Sequence, residues 1–400
     1  MIVGSHPESA QHVDVAVVGA GPAGATAALF LATAGASVAL IDKAAPPRYK
    51  TCGGGLVRRA AAWLPEGYPL KVERSLQAAS MNFLDADLSY TVRREEPLVW
   101  MVMRDQFDGQ LARAAVDAGA RLLAPREVKA VSQGAGGVEI ETDKGPLHAG
   151  FVIAADGAGS RVAKTAGWTT RPKLAPAVEC EVRVSDEVFQ RFDGCARFDF
   201  DVGVTGYGWV FPKRDHLSAG IVAMGPPAGN LKHAVTEYFQ RIGLGPIEHI
   251  SRHGYYCPLR PRSEGLVKGR VLLVGDAAGL ADPITGEGIS PAILSGRLAA
   301  EAILTSAGNA PTAERQYLRT LGQRLLSDLK LARLLARWLY SAPRMRNWVF
   351  QRRGQLLCEG VTEVIAGTAT YRELVLRPGN YFKLLTKGSR RTFDKPTVSS

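Results

Sequence analysis

The feature that most constrains this chain is the run "VDVAVVGAGPAGATAALFLATAGASVALIDK" at residues 13–43. Residues 13–18 read as a short buried strand. Gly19, Gly21 and Gly24 then give GxGxxG, an Ala-rich helix follows, and a second apolar run ends at Asp42. Each part has a physical task. Gly19 permits the tight turn, Gly21 lets backbone approach a pyrophosphate, and Gly24 lets the helix pack close to the strand. The pyrophosphate would then rest on free N–H groups at the positive end of the helix. Asp42, 18 residues after Gly24, is placed to accept hydrogen bonds from a ribose diol. Strand, helix, second strand and acid in this order predict a βαβ dinucleotide site involving Gly19, Gly21, Ala23, Gly24, Asp42 and Lys43.

The motif does not choose between NAD and FAD. A downstream segment, "GRVLLVGDAAGLADPITGEGISPAILSGRLAAEAI", supplies a buried strand at 271–274, the pair Gly275-Asp276, and a Gly-rich turn opening a long helix near Ile289. An NAD domain has no need of such an element. A flavin has a ribityl chain whose hydroxyls suit Asp276. It also has a pyrimidine edge that becomes anionic on reduction, which backbone N–H groups at Gly286, Gly288 and Ile289 can face. FAD is therefore the expected cofactor.

Between these motifs lies "RYKTCGGGL" (48–56), a cysteine followed by three glycines. Cys52 can be a small buried hydrophobe or a reactive group. A metal role is not expected, because the five cysteines (52, 180, 195, 257, 358) form no CxxC and no His cluster accompanies them. Their odd number and the lack of a disulfide framework suit a reducing compartment.

These residues together resemble a known group. The 19–24 motif with Asp42, "RDQFDGQL" (104–111), "DGAGSRV" (156–162) and "GDAAGLADPITGEGI" (275–289) resemble the flavoprotein superfamily of aromatic hydroxylases, halogenases and geranylgeranyl reductases. "RYKTCGGGL" and "GYGWVFPKRDHLSAGI" (206–221) resemble the geranylgeranyl reductase branch, in which a CGGG-like loop and a YxWxFP motif occur together. The similarity runs from about residue 13 to 301. It implies that Cys52 and Gly53 lie against the isoalloxazine, with Gly54 letting the loop approach it. It also implies that Arg104 contacts the FAD phosphate or ribityl region and that Val128 lies by the adenine. The halogenase branch would imply a Lys in the loop after the first βαβ unit and a Trp pair before a Pro motif. Lys50 is a loose match to the first, and Trp209 stands alone before Phe211-Pro212, which disfavours halogenation.

From residue 177 to 224 the pattern changes to alternation: "AVECEVRV", "CARFDFDV", "YGWVFPK" and "HLSAGIVAM". This predicts an antiparallel sheet that, with residues 71–92, forms a substrate domain inserted into the nucleotide domain. Period two puts Tyr207, Trp209 and Phe211 on one face, as core or as a pocket wall above the flavin, and Pro212 would end the strand. The expected fold is α/β within an α+β multidomain chain: a Rossmann-like FAD-binding domain (12–62, 98–170, 265–310), a substrate-binding β-sheet domain (63–97, 171–264), a helical C-terminal region (311–388) and a flexible tail (389–400).

Residues 315–353 hold ten Lys/Arg against Asp328, which is +9 of the chain's formal +11. The excess is local, so nucleic acid is not expected. Leu331, Leu334, Leu335 and Trp338 fall on one helical side, with Lys330, Arg333 and Arg337 on another, predicting an amphipathic helix that packs on the protein or docks on an anionic membrane surface or an acidic partner. The opening "MIVGSHPESAQHVDV" has no basic segment followed by a long apolar run, and no long uncharged apolar run follows later, so a cytoplasmic location, peripheral at most, is expected.

Three functions stay open at this stage. The first is reduction of carbon–carbon double bonds in an isoprenoid or other apolar substrate by hydride from reduced flavin, with Cys52 or a nearby water as proton donor. The second is hydroxylation of an aromatic ring, including a side chain of a partner protein. The third is a flavin-binding scaffold without turnover. No second nucleotide motif is visible, so the electron donor is NAD(P)H, ferredoxin or another carrier.

Overall fold

The computed structural model describes residues 11–65, 68–225 and 229–376. The expected tail at 389–400 and residues 377–388 of the expected helical region lie outside them.

The nucleotide half is built on five parallel strands in the order Val271–Leu273, Leu147–Ala154, Gln11–Val18, Val38–Ile41, Arg121–Leu123. Val38–Ile41 and Val271–Leu273 are buried throughout, as strands covered on both faces must be. Strand Leu147–Ala154 is shared along its length: its first half also pairs antiparallel with Gly137–Thr142, its second half with Val271–Leu273. Helix Pro22–Thr33 buries ten of its 12 residues, so it has no solvent face and its small side chains are a packing requirement. Its neighbour Ile289–Thr305 approaches so closely that a Cβ on Gly296 would stand 2.1 Å from the Ala23 carbonyl oxygen.

The second half is a seven-stranded sheet in the order Ile247–Arg260, Lys173–Val184, Leu217–Ala223, Gly206–Pro212, Cys195–Phe200, Ala78–Phe83, Leu88–Arg93. The expected antiparallel pairing holds except between Ala78–Phe83 and Cys195–Phe200, which run parallel. Those two strands are separated by more than a hundred residues, among them nucleotide-half strands Arg121–Leu123 and Leu147–Ala154, so no hairpin fixes their direction. One sheet face carries Val178, Cys180, Val182, Val210, Ala219 and Ile221 against helix Leu231–Arg241.

A three-stranded sheet joins the halves, with Val99–Met101 between Gly55–Val57 and Arg74–Leu76. The expected boundaries at 62/63 and 97/98 fall within the chain that makes it. The segments leaving and re-entering the nucleotide half pair as they cross.

Of the C-terminal helices, Ala310–Leu321 packs on the nucleotide half, where the Tyr317 hydroxyl donates to the Leu273 carbonyl, and Ser327–Ser341 and Pro343–Ala366 close over the second sheet. The Tyr340 hydroxyl donates to the Ile284 carbonyl, and that of Tyr90 to Phe350. The apolar stripe expected for the basic segment is corrected here. The buried side of Ser327–Ser341 is Leu329, Ala332, Ala336, Leu339 and Tyr340, with Leu331, Leu335 and Trp338 at its margin, whereas Leu334 is 66% exposed. The inward face is thus rotated from the anticipated stripe, because alanines pack where the protein surface leaves little room. Arg346 is not a surface charge at all: it is buried, paired with Asp201, its guanidinium over the rings of Phe83 and Phe200. Among the described residues, no helix is long and apolar enough to cross a membrane.

Candidate active site

The three motif glycines separate by what a side chain would meet. Gly19 has φ +107°, and a Cβ there would lie 2.3 Å from the Ala155 carbonyl oxygen. At Gly24 it would lie 1.8 Å from the Gly19 carbonyl oxygen. Both positions are closed by the protein itself. At Gly21 nothing stands closer than 3.9 Å, and the position opens into a cavity of about 900 Å³. Gly21 is also the N-cap of helix Pro22–Thr33 and has no side chain to satisfy the first N–H groups. This is the cradle a pyrophosphate needs.

Asp42 is held at the same rim. It accepts hydrogen bonds from the Ala20 N–H (2.7 Å), the Ala44 N–H (3.0 Å) and the Arg48 guanidinium (3.2 Å). Arg48 also reaches toward Asp108 at 3.6 Å. Arg104 clasps Asp108 with two hydrogen bonds of 2.9 and 3.0 Å and lines the cavity together with Cys52. One carboxylate thus fixes the expected phosphate or ribityl contact.

Further along the cavity, Asp276 sits in the first turn of Gly275–Ala278 and accepts a 2.7 Å hydrogen bond from the Tyr255 hydroxyl. The ammonium of Lys50 lies 3.2 Å above the Tyr255 ring. Asp282 receives the Ile284 and Thr285 N–H groups, and Glu287 receives that of Ser290 while pairing with Arg59. These bonds shape the turn that delivers Gly286, Gly288 and Ile289 to the cavity, where the 17-residue helix Ile289–Thr305 starts at Gly288 with no side-chain cap. Its positive end suits an anionic ring edge.

The cysteine loop lies on the aromatic wall. A Cβ on Gly53 would be 3.0 Å from the Phe211 ring and 3.3 Å from the Trp209 ring nitrogen. Gly54 has φ +70°, and a Cβ there would meet the Val102 carbonyl oxygen at 2.2 Å and the Lys213 ammonium at 2.3 Å. The closest approach at Gly54 is therefore to the protein, not to the cavity. Cys52 is a free thiol that accepts a 3.4 Å hydrogen bond from the Gly54 N–H and lines the cavity.

Strand register sets the wall. Residues directly opposite one another share a face. One row therefore runs Phe198, Trp209, Gly220, Glu179, His253, and the next Phe200, Tyr207, Val222, Ala177, Tyr255. Trp209 lies across Gly220, where a Cβ would come within 2.6 Å of its indole ring. Tyr207 and Trp209 are each 7% exposed, and neighbouring rings in the series Tyr207, Trp209, Phe211 stand 6.3 and 6.4 Å apart. Of the residues singled out from sequence, all but Gly24 border this one cavity, including Ala23, Lys43 and Val128.

A family model described as an FAD binding domain matches residues 12–192. The chain is 32% identical to the chloroplastic geranylgeranyl diphosphate reductase of Oryza sativa, over 82% of this chain and 72% of that protein. It is 33% identical to digeranylgeranylglycerophospholipid reductase 1 of Methanopyrus kandleri, over 72% and 79%. The chain belongs to the geranylgeranyl reductase family. The crystal structure of a geranylgeranyl bacteriochlorophyll reductase-like protein from Thermoplasma acidophilum has the same fold, with a TM-score of 0.74 at 23% identity over 86% of this chain and 92% of that one. This reductase-family member is an FAD-dependent oxidoreductase, and the scaffold reading falls away.

Sequence reasoning missed several residues in and beside this enzyme's cavity. Tyr255 and Cys257 arrive on the 14-residue strand Ile247–Arg260, whose half-exposed, polar pattern hides its strand character. Glu179 had a signal: it is one of two acids, with Glu181, set among the apolar residues of "AVECEV". Lys213 directly follows the aromatic motif, yet a lysine after a strand-ending proline reads as solvent. It is 2% exposed.

Proposed function

We propose that this enzyme reduces carbon–carbon double bonds in an isoprenoid chain. The observation that carries the reading is the inner end of the cavity, where the Cys52 loop lies on the wall of Phe198, Trp209 and Phe211 and the lining continues through Val57, Val99, Ala196 and Ile365. Such an apolar channel suits a polyprenyl chain. Two relatives named for geranylgeranyl substrates support it.

Reduced FAD supplies a hydride, and with a proton this saturates a double bond. The chain's own residues do the rest. The aromatic wall excludes water and aligns the chain. Cys52, at the junction of loop and wall, is the candidate proton donor, which an unpolarised prenyl bond requires. The exposed face of the C-terminal helices, with Leu334, Met345 and Trp348 beside Lys330, Arg337, Arg344 and Arg352, is where the enzyme would meet the anionic lipid surface that holds such substrates.

One anaerobic experiment tests this. The purified flavoprotein is reduced and mixed with geranylgeranyl lipid, in detergent or in anionic vesicles, and oxygen is admitted separately. Reoxidation by the lipid with a saturated product is expected, faster from vesicles. Cys52→Ser should keep FAD and slow this step by roughly 10²-fold, the scale of a lost proton donor. Reoxidation by oxygen alone, with a hydroxylated aromatic product, would overturn the reading in favour of a monooxygenase.

A further inference from the structure

A second, much smaller chamber adjoins the main cavity at the cysteine loop. Its volume of about 10 Å³ is the room of a single water. Tyr49, Cys52, Glu179, Lys213, His216 and Ser218 are among its lining residues, and Tyr49, Cys52 and Glu179 line the main cavity as well.

The groups here are too polar for a packing role. Lys213 is 2% exposed, its ammonium donates to the Val102 carbonyl oxygen at 2.9 Å, and no carboxylate lies within ion-pair distance among the described residues. Its main chain is clamped: the Lys213 N–H donates to the His216 carbonyl, and the Arg74 guanidinium donates to the Lys213 carbonyl. Burial lowers the Lys213 pKa to about 8, against the opposing fields of Cys52, Glu179, Glu73 and Glu181. Glu179 is equally buried. It accepts hydrogen bonds from the Tyr49 hydroxyl (3.0 Å) and the Ser218 hydroxyl (3.1 Å), and desolvation holds its pKa above the usual range.

His216 points from the surface toward this chamber. Its Nδ1 is 2.9 Å from Asp215 Oδ1, which makes Nδ1–H the donor and leaves Nε2 as the second proton site. That Nε2 is buried and has no partner. Asp215 is exposed and also paired with Arg183. A carboxylate thus orients an imidazole whose orphan nitrogen meets a water-sized space shared with a buried ammonium and the cysteine. Lys50, Arg104, Asp105 and Glu181 complete the charged lining.

We propose that this chamber is the proton entry of the enzyme, passing protons from solvent over the Asp215–His216 pair to Lys213 and from Lys213 to the Cys52 sulfur, with Glu179 as the counter-charge. The inference rests on the isoprenoid-reduction reading. When the Cys52 S–H bond breaks as a substrate C–H bond forms, the thiolate takes a proton from the Lys213 ammonium through one water. The neutral amine is recharged from the His216 imidazolium, which solvent reprotonates. The hydride and its two electrons come from reduced FAD. The chamber moves protons only.

The first test needs no substrate. Iodoacetamide labelling of Cys52 in the holoenzyme at pH 7, resolved from the other cysteines by peptide mass spectrometry, should slow about tenfold in Lys213→Met, because the buried ammonium that shares the chamber with the sulfur is gone. His233→Ala, on the outer helix, should keep the wild-type rate. The second test is single-turnover reoxidation of the reduced enzyme by geranylgeranyl lipid. His216→Ala should slow it at least about tenfold with full FAD content, and added imidazole should restore it. Unchanged labelling in Lys213→Met, or wild-type turnover in His216→Ala, would overturn the proposal. A wild type that reduces no prenyl lipid overturns the function reading instead, and the labelling result still decides whether Lys213 serves Cys52.

Discussion

The two ends of the cavity are made in different ways. At the nucleotide end, Gly19, Gly21, Gly24 and Asp42 come from one strand–helix–strand unit, and their spacing alone brings them together. At the substrate end, Trp209, Gly220, Glu179 and His253 come from four strands and meet only because the sheet has one register. The first wall tolerates almost no change in backbone and little in side chain. The second is a surface of side chains on a sheet whose other face is anchored separately against helix Leu231–Arg241. Loss of a side chain should therefore damage fold and cofactor at the first end, and chemistry at the second.

The largest effect should come from the paired glycines. Gly24→Val puts side-chain atoms where the Gly19 carbonyl stands and should give no soluble folded protein. Gly21→Val points into open space, so it should fold and yet bind FAD at least about 100-fold more weakly, because the pyrophosphate cradle is filled. Circular dichroism and flavin absorbance separate the two. If both variants unfold alike, Gly21 is a packing residue and the contrast between the ends weakens.

Trp209→Ala should act in the opposite sense. Large aromatic truncations in a core cost about 3–5 kcal/mol, and one bordering a cavity belongs near the lower end, about 3 kcal/mol. FAD content should stay near wild type while turnover with a polyprenyl substrate falls at least about tenfold. Loss of flavin in step with activity would make Trp209 core, not pocket wall.

The smallest effect is one of pH. In the native state Lys213 has its pKa lowered to about 8 by burial, and in the unfolded chain it returns to about 10.4. Between these values the unfolded state holds more protons, so this group adds stability as pH rises through the window and withdraws it as pH falls. Lys213→Met should thus be more stable than wild type at pH 7, by at most about 3 kcal/mol, with the advantage fading from about pH 8 and gone by about pH 10.5. Denaturant midpoints at pH 7 and 10.5 measure it. A variant less stable at pH 7 would mean that the ammonium supports the fold.

Much of the nucleotide end was legible because its signals are short-ranged. A buried strand, a glycine turn and an amphipathic or fully buried helix each leave a period in the chain. The same holds for the 275–289 turn, where the helix begins at Ile289 as its pattern implies. At the other end, alternation gave the aromatic face of Gly206–Pro212 but not its neighbours. Strand Ile247–Arg260 has one edge unpaired and both faces partly wet, so its residues show no apolar alternation. The C-terminal helix was legible as a helix, whereas its inward face was not, since Ala332 and Ala336 pack more closely than Leu334 could.

The sequence by itself determined the dinucleotide turn and the strand and helix periods, among them the shared face of Tyr207, Trp209 and Phe211. All of these depend on residues within a few turns of chain. The tertiary structure decided what stands across from what. It runs Ala78–Phe83 parallel to Cys195–Phe200, sets Glu179 in the row of Trp209, buries Arg346 on Asp201, and turns His216 Nε2 toward a chamber shared with Lys213 and Cys52. Register between strands more than a hundred residues apart has no local period to announce it. It is selected by which faces can be buried together, and that is a property of the assembled sheet.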